Sequence, residues 1–577
     1  MAGLVAVLSS SGRHIPSDEL ARLTEAYQYV RGIGPLRVKH AGHFAHAAVV
    51  DGAVPGRDDD QGDNWGLSVG ALRSDRRLAS TRPEALDGQF ASVLHRAAEG
   101  TVYVVADPYG MQALYMAERE GLTFISTSST ALARHLGAEV DPLGVEVFLR
   151  AGYHCGPITY WKGIFRVEPG TWLRTTRDGT RQETWWLTRI DEDIRKLSFD
   201  ATVERLVDVL LAGMETYDLS HAWLDLTGGF DSRLTTVLAL AAGFRPTTNT
   251  VGTDADPDVV MGREVAKVAD LEWRQFDLSY GWAPTADDLR TAAAWADGTL
   301  EVLQLATVLE THARKARAYP LLVTGGGLEH ASAKPWLHAP WAGRTRGSLV
   351  GPTVRYRYLK GSPSRLLAND PTARVAEYLK DSFASRASLH VDGRTSHRLD
   401  EIYAYKSVGH FGAYRSASEA HISQVMPAYW RDVFTTTFSA NPRWRSGHRL
   451  HRAIIERLRP DLAQIATTRG GPATSLRLGN GSDFLPYYRG LALSAATRIR
   501  RLETTSRTSP QQADAIAMTI RALREQGILQ PGAMLSGQFL DSGALSVALA
   551  TVGQPGGATW TELGRVGTVE LTLRATT

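Results

Sequence analysis

Two glycine-containing stretches carry side chains that could bind the phosphates of a nucleotide. The first, LTGGFDS, spans residues 226–232. Gly228 and Gly229 let the backbone approach a phosphate closely, and the N–H groups at the start of a following helix point toward such an anion. The hydroxyls of Thr227 and Ser232 can donate further hydrogen bonds. The stretch therefore predicts a phosphate-binding loop.

An acidic residue, Asp231, stands inside this loop, where an anion should bind. The two are compatible if Mg²⁺ lies between them, because Mg²⁺ binds carboxylates together with substrate phosphates. The ordinary γ-phosphate pattern G-x-x-x-x-G-K-[ST] is absent. A structural alternative is a Gly-Gly turn between a strand and a helix, with Asp231 as the N-cap. Taken alone, the loop leaves both interpretations open.

The second stretch, TGGGLEH over residues 324–330, repeats the order of hydroxyl, glycines and carboxylate after an apolar run. Gly325 and Gly327 lie in the predicted loop, and Glu329 supplies the carboxylate. We expect Asp231 and Glu329, at the ends of two strands, to form a Mg²⁺-binding pair.

The elements around these loops alternate between strand and helix patterns. A strand precedes each loop, a helix follows the first loop from about Ser232, and a further strand and helix lie between the two loops. Such alternation predicts a doubly wound parallel sheet, which binds ligands beyond the carboxyl ends of its strands. An earlier helix is predicted from Phe199 by apolar residues at helical spacing. These residues are Val203, Leu206, Val207, Leu210, Leu211 and Met214.

Residues 1 to about 190 instead contain short β-branched runs separated by Gly, Asp and Pro. That texture is typical of a β-rich domain. We therefore place a domain boundary near residue 195, which gives predicted domains of 1–195 and 196–577.

Composition restricts the classes of function. The formal net charge is +3, so no basic field favours nucleic acid or membrane as a partner. The single cysteine, Cys155, excludes a disulfide framework and is interpreted as a buried residue rather than a nucleophile. Neither a signal peptide nor an apolar run of roughly 20 residues is evident, so we expect a cytoplasmic enzyme.

Several segments in order resemble the asparagine synthetase superfamily. LTGGFDS is similar to that family's pyrophosphate loop S-G-G-x-D-S. VTGGGLEH is similar to its later V-L-S-G-x-G-x-D-E segment, with Glu329 in place of Asp. TVGTD resembles the strand end that contacts adenine, here near Val251 and Gly252. LDGQFASVLHR, ADPYGMQALYM, FISTSSTALA and WKGIFRVEPGTWL follow the order of the glutaminase domain, and the resemblance covers about residues 1–475.

The resemblance implies an Ntn-hydrolase-like αββα sandwich followed by an ATP-pyrophosphatase-type synthetase domain. Such a synthetase transfers AMP from ATP to a carboxylate, releases pyrophosphate, and lets an amine attack the acyl-adenylate. It implies that Asp231 and Glu329 bind Mg²⁺ and that Arg469, in ATTRGGP, supplies a late basic residue. The implied pyrophosphate and ATP contacts are Thr227, Gly228, Gly229, Asp231, Ser232, Val251, Gly252, Gly325 and Gly327.

The resemblance breaks at the start of the chain, MAGLVAVLSS, where Ala2 stands in place of the glutaminase's cysteine. Alanine cannot act as a nucleophile, and the glutamine-binding segments are not evident between residues 45 and 80. We therefore expect an inactive glutaminase domain and a nitrogen that arrives with the substrate. An amine that attacks an adenylated carboxylate of the same molecule gives a lactam. Glu419, His421, Tyr403 and Tyr405 are candidates for the general base, and a role on a helix surface or in the core is the alternative for each of them.

The acceptor segment departs from the family as well. SQVMPAYW has Ser423, Val425 and Trp430 where asparagine synthetases have Glu, Arg and Asp. Tyr429, Trp430 and the segment KPWLHAPW (334–341) could line a larger pocket or pack in the core. Two subfamilies with an inactive glutaminase fit: lasso-peptide cyclases, which we favour, and β-lactam synthetases.

The cyclase interpretation implies a linear peptide substrate and two partners, a leader-peptide-binding protein and a leader protease. A non-enzymatic alternative is an inactive scaffold that holds a partner. The retention of both glycine loops with their carboxylates favours an enzyme.

Overall fold

The computed structural model describes residues 2–73, 77–278, 282–332, 345–346, 348–359, 364–389, 394–490, 510–551 and 560–577. Its strands are β1 Gly3–Ser9, β2 Leu36–Ala41, β3 Ala45–Val50, β4 Arg57–Gln61, β5 Asn64–Leu72, β6 Gly88–Arg96, β7 Thr101–Ala106, β8 Tyr115–Arg119, β9 Leu122–Ser126, β10 Ile164–Arg166, β11 Thr171–Thr176, β12 Gly179–Thr184, β13 Ala222–Asp225, β14 Thr247–Val251, β15 Trp273–Phe276, β16 Leu321–Val323 and β17 Ser423–Val425.

The α-helices are α1 Glu19–Arg31, α2 Ser129–Leu136, α3 Pro142–Ala151, α4 Glu192–Lys196, α5 Phe199–Met214, α6 Phe230–Ala241, α7 Pro257–Ala269, α8 Ala286–Trp295, α9 Val302–Ala316, α10 Val350–Thr353, α11 Thr372–Ser388, α12 Thr395–Ser407, α13 Ala413–Ser418, α14 Arg431–Ser439, α15 Pro442–Arg445, α16 Arg449–Leu458, α17 Pro460–Gln464, α18 Pro510–Glu525, α19 Ser542–Ala550 and α20 Trp560–Arg574. Short π-helical turns lie at Val354–Tyr358 and Val408–Gly412. None of the described helices is long and apolar enough to cross a bilayer.

Two antiparallel sheets form a sandwich that ends with β12. Their strand orders are β10-β8-β9-β1-β3-β2 and β12-β11-β7-β6-β5-β4. Successive strand residues point to opposite faces, so Leu4 and Ala6 share the core between the sheets with Val93 and Val104 of the other sheet.

Helical layers cover the two outer faces of the sandwich. Val5 and Val7 pack with Leu23 of α1 and Leu132 of α2. The other outer face packs under two 3₁₀ turns, Leu78–Ser80 and Pro83–Ala85. The predicted Ntn-hydrolase-like αββα sandwich is confirmed, with one outer layer made of short turns.

A separate parallel sheet has the order β15-β14-β13-β16-β17. Leu224 of β13 packs on one face with Leu206 of α5 and Leu234 of α6, whereas Trp223 packs on the other face beside Ala316 of α9. Helices on both faces confirm the predicted doubly wound domain. Because β14 lies on one side of β13 and β16 on the other, the direction of winding reverses between β13 and β16. Such a reversal creates the crevice in which these folds bind ligands.

The helices beyond residue 475 support both halves of the molecule. Leu523 of α18, Leu545 of α19 and Val566 of α20 join one apolar cluster with α8, α9 and the outer face of the sandwich. Arg565 of α20 donates to the carbonyls of Leu149 and Arg150 at 3.0 and 3.2 Å. The predicted boundary near residue 195 falls between the last sandwich strand and β13.

Candidate functional site

The first predicted loop connects β13 to α6 and is braced by its own hydroxyls. The Thr227 N–H donates to Ser232 Oγ at 3.0 Å, and the Gly229 N–H donates to Thr227 Oγ1 at 3.2 Å. Helix α6 begins at Phe230, before the predicted start at Ser232, and its N-cap is Gly229 without a side-chain cap. Asp231 is therefore not the N-cap that the structural alternative required. The first turn of α6 presents amide groups that no side chain caps, as an anion site needs.

The second loop follows β16 and packs directly against the first. A Cβ atom added to Gly325 would lie 2.7 Å from the carbonyl carbon of Asp231 and 3.0 Å from the Ser232 nitrogen. Gly327 adopts a left-handed conformation, with φ of +88°. Because β13 and β16 are parallel neighbours, both loops meet at one edge of the sheet. The structure thus joins the two predicted loops into one site where the winding reverses.

The two predicted metal ligands have different surroundings. Asp231 Oδ1 lies 2.9 Å from Nε2 of the fully buried His451, but the two atoms are not aligned as a hydrogen bond. That buried oxygen therefore keeps its capacity to accept. Glu329 is buried, and its two oxygens accept the Gly327 N–H at 3.0 Å and the Tyr403 hydroxyl at 2.9 Å.

The pair fits Mg²⁺ in ligand type and in the acceptor capacity of Asp231. In the described part of the chain, no group of three or more His, Cys, Asp or Glu could hold a metal on its own. Mg²⁺ typically takes one or two carboxylates and completes its shell with waters and substrate phosphates. Asp231 and Glu329 would accordingly hold the ion together with a bound nucleotide.

A third segment, the turn that carries Arg469, lies on the first loop. The Thr468 N–H donates to the Gly228 carbonyl at 3.0 Å. A Cβ atom on Gly228 would fall 2.3 Å from the Thr468 methyl carbon, so the glycine is needed for this approach. Arg469 is exposed at the tip of the turn. The structure therefore brings the predicted cationic segment against the predicted phosphate loop.

Two buried arginines that the sequence did not predict hold this turn. Arg233 of α6 donates to three backbone carbonyls at 3.1, 2.6 and 2.8 Å. Arg452 of α16 donates to two further carbonyls of the same segment. The acceptors are Leu462, Ile465 and Ala466 for Arg233, and Pro472 and Thr474 for Arg452. Burial lowers the pKa of Arg233 to about 10, which is still well above neutral pH, and burial also lowers the pKa of Arg452.

The predicted adenine contacts lie at the end of β14, beside β13. The Gly252 N–H donates to the Phe276 carbonyl at 3.0 Å, and the Gly252 carbonyl accepts from Gln275 Nε2 at 2.9 Å. The Val251 side chain is 48% exposed. An adenine ring here would meet an apolar side chain next to backbone groups that are already hydrogen-bonded. Asp258, which the sequence did not single out, accepts the Gly228 N–H at 3.1 Å.

Among the candidate bases, the structure places Glu419 away from the loops. Glu419 precedes β17, at the amino end of that strand, whereas both glycine loops follow carboxyl ends. It is buried and pairs with the fully buried Arg415 at 2.8 Å. Burial raises the pKa of Glu419, and Arg415 opposes that rise. The contacts of Glu419 are those of a buried ion pair.

The tyrosine candidates point in different directions. The Tyr405 hydroxyl donates to Glu168 of the sandwich at 2.6 Å. Tyr403 contacts Glu329, and both its burial and that carboxylate raise the pKa of the phenol. His421 packs edge-on against Trp295 with ring centroids 5.0 Å apart. Tyr403 is thus the candidate whose contact with a loop carboxylate is shown.

The aromatic residues of SQVMPAYW are core residues. Tyr429 and Trp430 are both fully buried. A Cβ atom on Gly327 would lie 2.4 Å from the Tyr429 ring, and one on Gly213 would lie 2.1 Å from the Trp430 ring. Of the alternatives weighed for these two, core packing is confirmed. The segment KPWLHAPW lies outside the described residues.

Positions 2 and 155 are the two places considered for a thiol nucleophile, and neither provides a reactive thiol. Ala2 is 5% exposed and belongs to the core between the two sheets. Cys155 is buried, and burial raises the pKa of its thiol to about 12, so it stays protonated at neutral pH. The interpretation of Cys155 as a buried, unreactive residue is confirmed.

Residues 76–186 match the family model of the glutamine amidotransferase domain. No curated protein matches the chain. One similar solved structure is the glutamine phosphoribosylpyrophosphate amidotransferase from B. subtilis complexed with ADP and GMP, with 10% identity over 47% of this chain and 65% of that chain and a TM-score of 0.21. Another is described as the allosteric regulatory enzyme of purine biosynthesis, with 12% identity, 44% and 66% coverage and a TM-score of 0.22.

This chain thus spans a little under two thirds of the length of those solved structures. The family match falls within the sandwich, where β6 to β12 and helices α2 and α3 lie. The chain therefore carries a glutamine amidotransferase-like domain joined to a doubly wound parallel-sheet domain.

Proposed function

We propose that this protein is an ATP-dependent, AMP-forming lactam synthetase, and more narrowly a lasso-peptide cyclase. It adenylates an Asp or Glu side-chain carboxylate of a linear core peptide and closes a macrolactam with the peptide's N-terminal amine. The observation that carries the proposal is the contact of the two carboxylate-bearing glycine loops, Gly325 against Asp231, where the winding of the parallel sheet reverses.

In the first step, a carboxylate oxygen of the peptide attacks the α-phosphorus of ATP, and pyrophosphate leaves. The uncapped N–H groups at the start of α6 bind the leaving pyrophosphate, with the hydroxyls of Thr227 and Ser232 in the loop before it. Asp231 and Glu329 would hold Mg²⁺, which screens the phosphate charge when bound. Arg469 adds positive charge from the turn against Gly228.

In the second step, the N-terminal amine attacks the acyl carbon and the C–O bond to AMP breaks. One proton leaves the amine, and the products are the amide and AMP. Intramolecular attack supplies the nitrogen, in keeping with the buried Ala2 and the absence of a reactive thiol. Holding both ends of one peptide in a single site lowers the entropic part of the barrier.

The preference for a peptide over a small amino acid follows the resemblance to lasso-peptide cyclases and the arginine and aromatic residues of the central segment RYRYLK (355–360). The extra C-terminal helices pack in the core and do not bear on the choice.

The test is mass spectrometry of leader-free linear peptides incubated with the protein, ATP and Mg²⁺. We expect loss of one water with release of pyrophosphate, abolished by Asp231→Asn. Asp270→Asn is the matched control, because the side chain of Asp270 is 97% exposed and pairs with Arg245. Pyrophosphate release with a small β-amino acid but no peptide dehydration would instead indicate a β-lactam synthetase.

A further inference from the structure

Glu329 is almost excluded from solvent, and its two carboxylate oxygens accept hydrogen bonds from different parts of the described chain. It is 5% exposed. One oxygen accepts the Gly327 N–H at 3.0 Å, and the other accepts the Tyr403 hydroxyl at 2.9 Å. A buried carboxylate without such partners would carry a large desolvation penalty. The first partner belongs to the loop itself, whereas Tyr403 belongs to α12, far along the chain.

The contact with Tyr403 matters because the Glu329 side chain is long. A glutamate has one more rotatable side-chain bond than an aspartate, so its carboxylate can reach more positions. The Gly327 N–H binds one carboxylate oxygen, and a single hydrogen bond does not by itself define the plane of a carboxylate. The Tyr403 hydroxyl fixes the other oxygen and so defines the plane and direction of the carboxylate.

Two ion pairs fix the position of helix α12, and therefore the position of the Tyr403 side chain that it carries. Arg445 forms a bidentate pair with Asp400 at 2.6 and 2.9 Å, with both side chains almost fully buried. Arg386 binds Glu401 at 2.6 Å. Two consecutive acidic residues of α12 are thus fixed by separate arginines, and Tyr403 follows two positions later.

The same helix also provides a matched control. Tyr405 is a buried tyrosine on α12 whose hydroxyl donates to a glutamate, Glu168, at 2.6 Å. Residues i and i+2 of a helix lie on different faces, and Tyr405 accordingly faces the sandwich rather than Glu329. Loss of either hydroxyl removes one tyrosine–glutamate hydrogen bond from the same helix.

We propose that Tyr403 is a positioning residue, which orients the Glu329 carboxylate for the Mg²⁺ that enters with ATP. The inference rests on the proposed function, since it assigns Glu329 the role of ligand. Tyr403 acts through Glu329, and neither the substrate peptide nor the reacting atoms need to touch the phenol. Partners that orient metal-ligating carboxylates typically affect metal affinity about 10–100-fold.

The experiment is a double-mutant cycle on the full chain with Tyr403→Phe and Glu329→Asp, beside Tyr405→Phe. Binding of Mn²⁺ in the presence of a non-hydrolysable ATP analogue is measured by electron paramagnetic resonance, and melting temperature is measured in parallel. We expect Tyr403→Phe to weaken Mn²⁺ binding about tenfold and Tyr405→Phe to leave it unchanged. The shorter aspartate cannot reach Tyr403, so Tyr403→Phe should cost nothing further in the Glu329→Asp background.

Equal weakening by both Tyr→Phe variants, unchanged binding in Tyr403→Phe, or additive effects in the cycle would overturn the assignment. So would the absence of nucleotide-dependent Mn²⁺ binding in the wild-type chain. The readout is independent of product formation. Failure of the peptide assay together with a positive cycle would therefore refute the proposed reaction while leaving the positioning role intact.

Discussion

At the scale of single residues, the site depends on the missing side chain of Gly325. The atoms that a Cβ would meet are backbone atoms of Asp231 and Ser232, at 2.7 to 3.0 Å, and backbone cannot rotate away as a side chain can. Gly325→Ala should therefore separate the two loops. We expect strain of about 1–3 kcal/mol and at least about tenfold weaker ATP binding, measured by calorimetric titration and thermal unfolding.

Gly326→Ala is the matched control, because the nearest atom to its added Cβ is Met426 Sδ at 3.6 Å. That is an ordinary van der Waals distance at the end of a flexible side chain. We expect Gly326→Ala to bind ATP like the wild-type chain. Equal loss of binding in the two variants would mean that the contact of Gly325 with Asp231 is not what matters.

At the scale of elements, the guanidinium group of Arg233 holds the segment 462–466, which leads directly into the turn from Thr467 to Gly471. Lysine keeps the charge but cannot donate to three carbonyls in a fixed fork. Arg233→Lys should therefore destabilise the protein by about 3 kcal/mol and loosen the turn in particular. Hydrogen exchange at the Thr468 amide, which bonds to the Gly228 carbonyl, should become at least about tenfold faster than in the wild type.

Arg415→Lys provides the comparison, since Arg415 is equally buried but pairs with Glu419 next to β17. Arg415→Lys should also lower global stability. Hydrogen exchange at the Thr468 amide should then become faster only by the amount that the loss of global stability explains. If the Thr468 amide exchanges at the same rate in both variants once global stability is matched, the turn does not depend on Arg233.

Local pattern was sufficient to predict the elements that carry the site. Helix α5 begins at the predicted Phe199, because its apolar positions recur at helical spacing and become buried. The positions of the glycine loops could also be predicted, since close backbone approach demands glycine wherever it occurs. The contacts of Tyr403 with Glu329 and of Arg233 with the 462–466 segment could not be predicted from local pattern. They join residues 74 and at least 229 positions apart, and nothing near either partner encodes the other.

At the scale of the whole molecule, the amidotransferase-like domain supports the parallel sheet. Gln89 of β6 exchanges two hydrogen bonds with the Met426 backbone just after β17, at 3.0 and 3.1 Å. Arg73 binds Asp432 of α14 at 2.6 Å. With Tyr405 on Glu168, these contacts connect the sandwich to three elements around the site. The proposed reaction requires no other role of the amidotransferase-like domain.

If support is its function, restoring a thiol at position 2 should not restore glutamine chemistry. Ala2→Cys is expected to release no glutamate from glutamine above the wild-type background, because Ala2 lies in the core between the sheets rather than in an open pocket. The assay is enzymatic detection of glutamate with and without ATP. Glutamine-dependent glutamate release in the variant would show that the domain still holds a working glutamine site.

The interface between the two halves should also respond to acid. Burial lowers the pKa of His154 to about 4, and a Cβ on Gly409, in the half that carries the parallel sheet, would lie 2.0 Å from the His154 carbonyl oxygen. Because the folded-state pKa is below the unfolded value of about 6.5, stability from the neutral ring is present above pH 6.5. It is lost as the pH falls through the window from 6.5 to 4. The pKa of His312 is lowered to about 3, which also makes stability fall as the pH falls. The raised pKa values of Asp107 and Glu301 have the opposite effect, because they make stability rise as the pH falls.

The contribution of His154 can be isolated as a difference between variants. Between pH 7 and pH 5 the wild-type chain should lose about 2 kcal/mol more unfolding free energy than His154→Gln, because glutamine does not titrate. Urea unfolding at the two pH values measures this difference, and the exposed His221 serves as control through His221→Gln. The opposing effects of Asp107 and Glu301 are common to all three proteins and cancel. Parallel pH dependence in the wild type and His154→Gln would show that the His154 ring does not set the acid sensitivity of the interface.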